Sequence, residues 1–198
     1  MPGIWKPSVT VAAIIERNGL FLLVEEETSD GVRLNQPAGH LDPFESLEQA
    51  VIRETLEETA HDFTPTALVG IYLSCYRSAR TGTDVSYLRV TFCGDVGIEH
   101  DQPLDHGIIR TLWMGRDEIA ACQERHRSPL ILQCIDEYLA GRRVPLSLLH
   151  THASVFEAAD VTGVAKVAGV AGVAGVAGVT EAAKVTNKKQ PWVLEQGA

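Results

Sequence analysis

A chain of 198 residues, 45% apolar and 22% charged, has the balance of a soluble protein with room for one ordinary domain. Its formal net charge of −9 argues against a sequence-independent binder of nucleic-acid polymers. A small anionic substrate would need a cation or a local basic pocket to approach such a surface.

Ser8 to Glu16 and Leu20 to Glu25 read as two strands joined at Asn18-Gly19, a pair that tolerates positive φ and so favours a hairpin. Glu26 to Arg33 is polar and reads as a loop. Leu34 to Leu41 carries Pro37 and Gly39 and reads as a short strand or bend. Ser46, with Gln49 three residues on, opens a helix over Leu47 to Thr59 by the capping-box rule, and Asp62 to Pro65 is expected to end it. Thr66 to Tyr76 and Val85 to Val96 read as strands around a polar tip. Gly97 to Gly107 reads as an acidic loop, and Ile108 to Met114 as a further strand. Asp117 caps a short helix to Cys122. Ser128-Pro129 starts a last helix and Gly141 closes it. Helices and strands mix without regular alternation, so the class is α+β, a layered α/β/α arrangement rather than a doubly wound sheet.

Residues 1–150 form the domain in this reading. Residues 151–198 hold four acids and four bases, so the whole net charge lies on the domain. From Val164 to Thr180 the tail repeats Val-Ala-Gly at period three, which matches neither a helix face nor a strand alternation. Glycine at every third position is costly to order, so a disordered tail is expected. Its valines and alanines, flanked by Lys166 and Lys184, leave a membrane-surface helix as the other reading. No secretory leader and no stable membrane insertion are expected, and the four cysteines, none spaced as a zinc or redox motif, read as buried free thiols of a cytoplasmic protein.

The helix Leu47 to Thr59 carries the chemistry. On a wheel, Leu47, Ala50, Val51 and Thr55 share the face that packs inward, and Glu54 and Glu58 fall in that sector, with Glu57 just beside it. As pure structure this is unfavourable. Like charges at i,i+4 cost roughly 0.2–0.5 kcal/mol. Carboxylates near a helix C-terminus cost about 0.3–1 kcal/mol more. A carboxylate on an apolar face needs a partner, and the single Arg53 cannot neutralise three. A hard divalent cation can: Mg²⁺, with Mn²⁺ as the alternative ion.

The segment reads Gly39, five residues, Glu45, seven residues, then Arg53-Glu54-Thr55-Leu56-Glu57-Glu58-Thr59-Ala60. It resembles the Nudix box, G-x5-E-x7-R-E-U-x-E-E-x-G-U with U a bulky apolar residue. Six fixed positions agree, on the order of once in 10⁷ windows by chance. Three positions depart: Thr55 and His61 stand for apolar residues, and Ala60 stands for glycine. The resemblance implies the Nudix fold, a mixed sheet between helices. It implies that Glu54, Glu58 and Glu57 hold metal, with Glu57 a further ligand or the base for the attacking water. The Gly39 carbonyl would join them, and Arg53 and Glu45 would orient the glutamates. Val24-Glu25-Glu26, Asn35 to Leu41, Leu88-Arg89 and Arg127 to Leu130 are further similar to the NudJ-type phosphatases, over about residues 5–149. That likeness implies substrates such as hydroxymethylpyrimidine pyrophosphate, thiamine pyrophosphate and nucleoside di- and triphosphates, cleaved with release of phosphate.

Four other residues carry open readings. Arg89 binds substrate phosphate or forms an edge salt bridge. His40 faces the substrate or is structural. Asp105 is an extra ligand or base, or a loop cap. Trp113 reads as core rather than a stacking platform. A Nudix-fold sensor that binds a nucleotide without cleaving it is the alternative function, disfavoured because all the box glutamates are kept. The expected partner is a small pyrophosphate, and the assembly a monomer or homodimer.

Overall fold

The computed structural model describes residues 4–77 and 82–157. The Val-Ala-Gly repeat and the hairpin tip 78–81 lie outside the described residues, and so does the expectation of disorder for residues 158–198. The elements in order are β1 (Ser8–Ile14), β2 (Glu16–Arg17), β3 (Leu20–Thr28), β4 (Gly31–Asn35), β5 (Ala38–His40), α1 (Leu47–Thr59), β6 (His61–Arg77), β7 (Asp84–Glu99), β8 (Ile108–Gly115), α2 (Arg116–Ala121), α3 (Leu130–Leu139) and α4 (Ser154–Glu157).

One sheet runs β5-β1-β7-β6, with β1 and β7 parallel and the other pairs antiparallel. A second sheet has the order β2-β3-β4, with β8 also paired to β3. Strand residues alternate between two faces, and each face of the mixed sheet takes a helix. Ala50 and Val51 of α1 pack with Val11, Ala13, Val90 and Phe92. Ile131, Cys134 and Ile135 of α3 pack with Ile14, Val69 and Cys93 on the other side. This is the expected α+β architecture, with a mixed sheet between helices.

Local signals place the elements. Asn18 (φ 54) and Gly19 (φ 79) make the β2–β3 turn in the left-handed region. The Ser46–Gln49 capping box is complete in both directions. The Ser128 hydroxyl accepts from Leu130 N–H at the start of α3, and Gly141 (φ 83) follows its end.

Four expectations are corrected. Glu26 to Arg33 is not a loop: β3 continues to Thr28 and pairs with β4, because Glu25 and Glu26 are neutralised by arginines from far along the chain. Asp62 to Pro65 does not form a break after α1. β6 starts at His61, and Pro65 sits beside a bulge, where its missing N–H does least harm to the ladder. β7 likewise runs on to Glu99, shortening the acidic loop. Finally, of the four free cysteines Cys93 and Cys134 are buried, Cys122 is half-buried and Cys75 is exposed on β6. Among the described residues no helix is long and apolar enough to cross a membrane.

Candidate active site

The site lies where the C-terminal half of α1 faces β5. Two side chains of α1 grip β5 on either side of Gly39: Glu58 Oε2 accepts from the Ala38 N–H at 2.9 Å, and Arg53 Nη2 donates to the His40 carbonyl at 3.0 Å. Between them the Glu54 carboxylate lies so close that a Cβ on Gly39 would fall 2.1 Å from its carboxyl carbon. Glycine serves here by letting the Glu54 carboxylate approach the backbone, not by an unusual φ.

Arg53 is the hub of the acids. Its guanidinium donates to Glu45 Oε1 at 2.7 Å and Oε2 at 3.0 Å, to Glu54 Oε1 at 2.7 Å and to Glu57 Oε2 at 3.2 Å. Burial works against its charge, but the Glu45 and Glu54 carboxylates outweigh that and hold it firmly protonated. Glu45 also accepts from the Asp42 N–H, closing the loop before α1. Glu58 makes no such ion pair among the described residues. Burial, and after it the charges of Glu54, Glu26 and Asp105, push its carboxyl up to about 8 despite the Ala38 N–H. Among the described residues no three His, Cys, Asp or Glu side chains stand ready as a cation cage; the Arg53 guanidinium occupies the side of Glu54 and Glu57 that faces it.

The donor set suits a hard cation. Hard carboxylate oxygens outnumber the local positive charge, and Glu26 Oε1, buried near Glu58, has no hydrogen-bond partner. The departures from the box are absorbed by neighbouring groups. Thr55 donates its hydroxyl to the Val51 carbonyl. His61, buried, places Nδ1 2.7 Å from the Thr59 carbonyl. Ala60 takes the left-handed turn itself (φ 58), and the loop after β7 secures it: His100 N–H donates to the Ala60 carbonyl, Gln102 to that of Leu56, and Asp105 N–H to that of Glu57. These donors also offset the helix-end carbonyls beside the glutamates.

Asp105 thus caps the end of α1 through its backbone, while its carboxylate lies near enough to Glu58 to act on it. His40 has an exposed imidazole overall, yet the protein around it and then the Arg127 charge hold its pKa below the ordinary range. Arg89 does not form an edge salt bridge: β7 is an interior strand, and Arg89 is 7% exposed. It donates to Gln36 Oε1 at 2.9 Å, and burial lowers its pKa. Trp113 packs half-buried at the core, with the Arg17 guanidinium 5.0 Å over its ring. Sequence reasoning took Glu26, Asn35 and Gln36 only as part of the family likeness and gave them no role in the site. Their signal was the continuation of the β3 and β4 alternation into polar residues.

A NUDIX domain family model matches residues 5–134. Phosphatase NudJ of Escherichia coli strain K12 is 34% identical over 146 residues, covering 73% of this chain and 92% of that protein. A NUDIX hydrolase structure from Nitrosomonas europaea is 51% identical with a TM-score of 0.68, over 74% of this chain and 98% of that one. A MutT protein structure from Methanosarcina mazei Go1, at 23% identity and a TM-score of 0.56, shares the fold over 71% of this chain and 100% of that one. With half the chain and more inside the family model, and Glu54 and Glu58 of α1 lying against β5 at Gly39, the chain belongs to the NUDIX family and is a phosphohydrolase.

Proposed function

We propose that the chain hydrolyses the phosphate anhydride bond of small nucleotide or pyrimidine pyrophosphates with Mg²⁺, releasing phosphate. Hydroxymethylpyrimidine pyrophosphate, thiamine pyrophosphate and nucleoside di- and triphosphates are the substrate class, by likeness to phosphatase NudJ. The observation that carries the reading is the approach of the α1 carboxylates to backbone at Gly39, where a Cβ would push the Glu54 carboxylate aside.

In this reading Glu54, Glu57, Glu58 and the Gly39 carbonyl hold the cation. When bound, Mg²⁺ supplies charge neutralisation for the pyrophosphate oxygens and lowers the pKa of a bound water. Glu57, a quarter exposed and ion-paired to Arg53, takes the proton of the attacking water. Arg53, locked by Glu45, fixes the aim of Glu54 and Glu57. Arg89 and His40 hold the substrate, and Asp105 adds negative charge beside Glu58. Positioning and charge stabilisation, rather than covalent chemistry, lower the barrier.

The test is phosphate release from a panel of those compounds, with Mg²⁺ and with a chelator. Release that needs Mg²⁺ and is lost in Glu54→Gln supports the assignment. Release that ignores both would sink it.

A further inference from the structure

The last turn of α1 carries Glu57 and Glu58, and it ends on a strained residue. Ala60 has φ 58, in the left-handed region where a side chain is crowded. Besides its own bonds, the turn is held by the loop 100–107, which crosses the helix end and donates to three of its carbonyls. His100 N–H reaches Ala60 at 2.7 Å, Gln102 Nε2 reaches Leu56 at 3.0 Å, and Asp105 N–H reaches Glu57 at 2.8 Å. Two of these donors are main chain, which almost any residue supplies. The third is a side chain and depends on what stands at position 102.

The loop is itself tied at both ends. At its start a His100 ring nitrogen lies 2.8 Å from the Asp62 carboxylate of β6. At its end the Gly107 carbonyl accepts from the Glu27 N–H of β3 at 2.8 Å, beside the bulge at Glu25 and Glu26. Pro103 disfavours the helical region for Gln102, whose own N–H donates to the His100 carbonyl. Gln102 is exposed, but its backbone is anchored. Its acceptor is shared. The Leu56 carbonyl also takes the Ala60 N–H at 2.9 Å, the bond that closes the last turn. Strain at Ala60 works to open that turn, and the Gln102 amide holds the same carbonyl from outside.

We propose that Gln102 is a positioning residue for the reaction: by holding the Leu56 carbonyl it keeps the last turn of α1 closed over the left-handed Ala60, and so fixes where Glu57 and Glu58 point. The proposal rests on the anhydride-hydrolase reading above. Leu56 directly precedes Glu57, so a turn that opens there moves both carboxylates. The bonds of Glu58 to the Ala38 N–H and of Glu57 to Arg53 depend on the same spacing. Misplacing a reacting group by about 1 Å costs on the order of 10²-fold in rate. A turn that is open part of the time therefore lowers kcat without any contact to the substrate. Arg89 and His40, the groups assigned to the substrate, lie outside the turn, so KM at saturating Mg²⁺ stays where it is. The dependence on Gln102 follows from alanine at position 60: glycine takes the left-handed turn without strain and leaves the turn closed on its own bond.

The test pairs two measurements on the full chain. Amide hydrogen exchange, read without metal or substrate, reports whether the last turn is closed. Steady-state phosphate release from a nucleoside diphosphate at saturating Mg²⁺ reports the reaction. Gln102→Met keeps the side-chain length and loses the donor. In it the residue-60 amide should exchange at least about tenfold faster, with the amides of the first half of α1 unchanged. Its kcat should fall about tenfold, with KM within about twofold. Ala60→Gly added to Gln102→Met should bring both exchange and kcat back to within about threefold of the wild type. Faster exchange with kcat at parity would make Gln102 a helix cap only and overturn the proposal. A lower kcat with exchange unchanged, or with no rescue by Ala60→Gly, would overturn it by giving Gln102 another route to the reaction. A wild type that releases no phosphate would overturn the hydrolase reading and any role in that reaction with it. A wild type that does, with Gln102→Met at parity, would overturn this proposal alone.

Discussion

α1 and α3 pack on opposite faces of one sheet and bury different chemistry. α3 buries Leu130, Ile131, Cys134 and Ile135, an apolar stripe at helical spacing. α1 buries Ala50 and Val51 in its first half, then Thr55, Glu58 and Thr59 in its second. The first half of α1 and all of α3 serve the fold. The second half of α1 places acids where packing alone would put leucines. Such a face is kept for what it does, since it contributes little to stability and its like charges oppose it.

The comparison predicts opposite signatures for substitutions on the two helices. Glu54→Gln or Glu58→Gln should lower kcat by at least about 10²-fold while the protein stays folded. Ile131→Ala should do the reverse: it opens a cavity in a fully buried site and costs about 2–5 kcal/mol of stability. Its kcat, measured well below the melting temperature, should stay within about twofold. Steady-state kinetics and melting curves on the same samples check both. Near-wild-type turnover in the glutamate variants would break the distinction.

Gly39→Ala sharpens it. The new methyl would meet only the far end of the Glu54 side chain, which can turn aside. Stability should therefore change little, whereas kcat should fall about 10–10²-fold because the carboxylate is mis-aimed. A large loss of stability with kcat retained would mean that Gly39 serves β5 and not the acids.

Smaller again is the effect of the cation on folding. Mg²⁺ at about ten times its Kd should stabilise the wild type by about 1.4 kcal/mol, a rise of about 3–6 °C in Tm for a domain of this size. Glu54→Gln should show little of that rise. A wild-type Tm unmoved by Mg²⁺ would count against a cation at these glutamates.

What was legible in the sequence was local or tied to fixed spacing. Asn18-Gly19, Ser46 with Gln49, and Ser128-Pro129 each act within a few residues, and each stands where expected. The box was legible because its spacing, Gly39 to Glu58, is the geometry of one strand and the helix laid against it. What stayed hidden depends on distant partners. Glu25 and Glu26 look like loop residues until Arg110, Arg125 and Arg127, 85 to 101 positions away, neutralise them and let β3 continue. Arg89 looks like a surface base until Gln36, 53 positions away, is seen to hold it inside. Ala60 looks like a poor helix end until the loop at 100–105 supplies its donors.

The smallest expected effect concerns the tail. Deleting residues after His150 should leave hydrolysis and melting unchanged. Both core faces are complete before that point. Val144 pairs with Leu68, and Leu146 and Leu149 pack on the cluster that holds α1. None of the described residues beyond His150 is buried. Residues 151–198 add no net charge, and glycine at every third position of the repeat makes ordering costly. The measurement is kcat/KM for hydroxymethylpyrimidine pyrophosphate and for a nucleoside diphosphate, full length against truncated, with both melting curves. A tenfold loss of activity or a drop of several degrees in Tm would move the domain boundary into the tail and give those residues a part in the fold that their composition does not suggest.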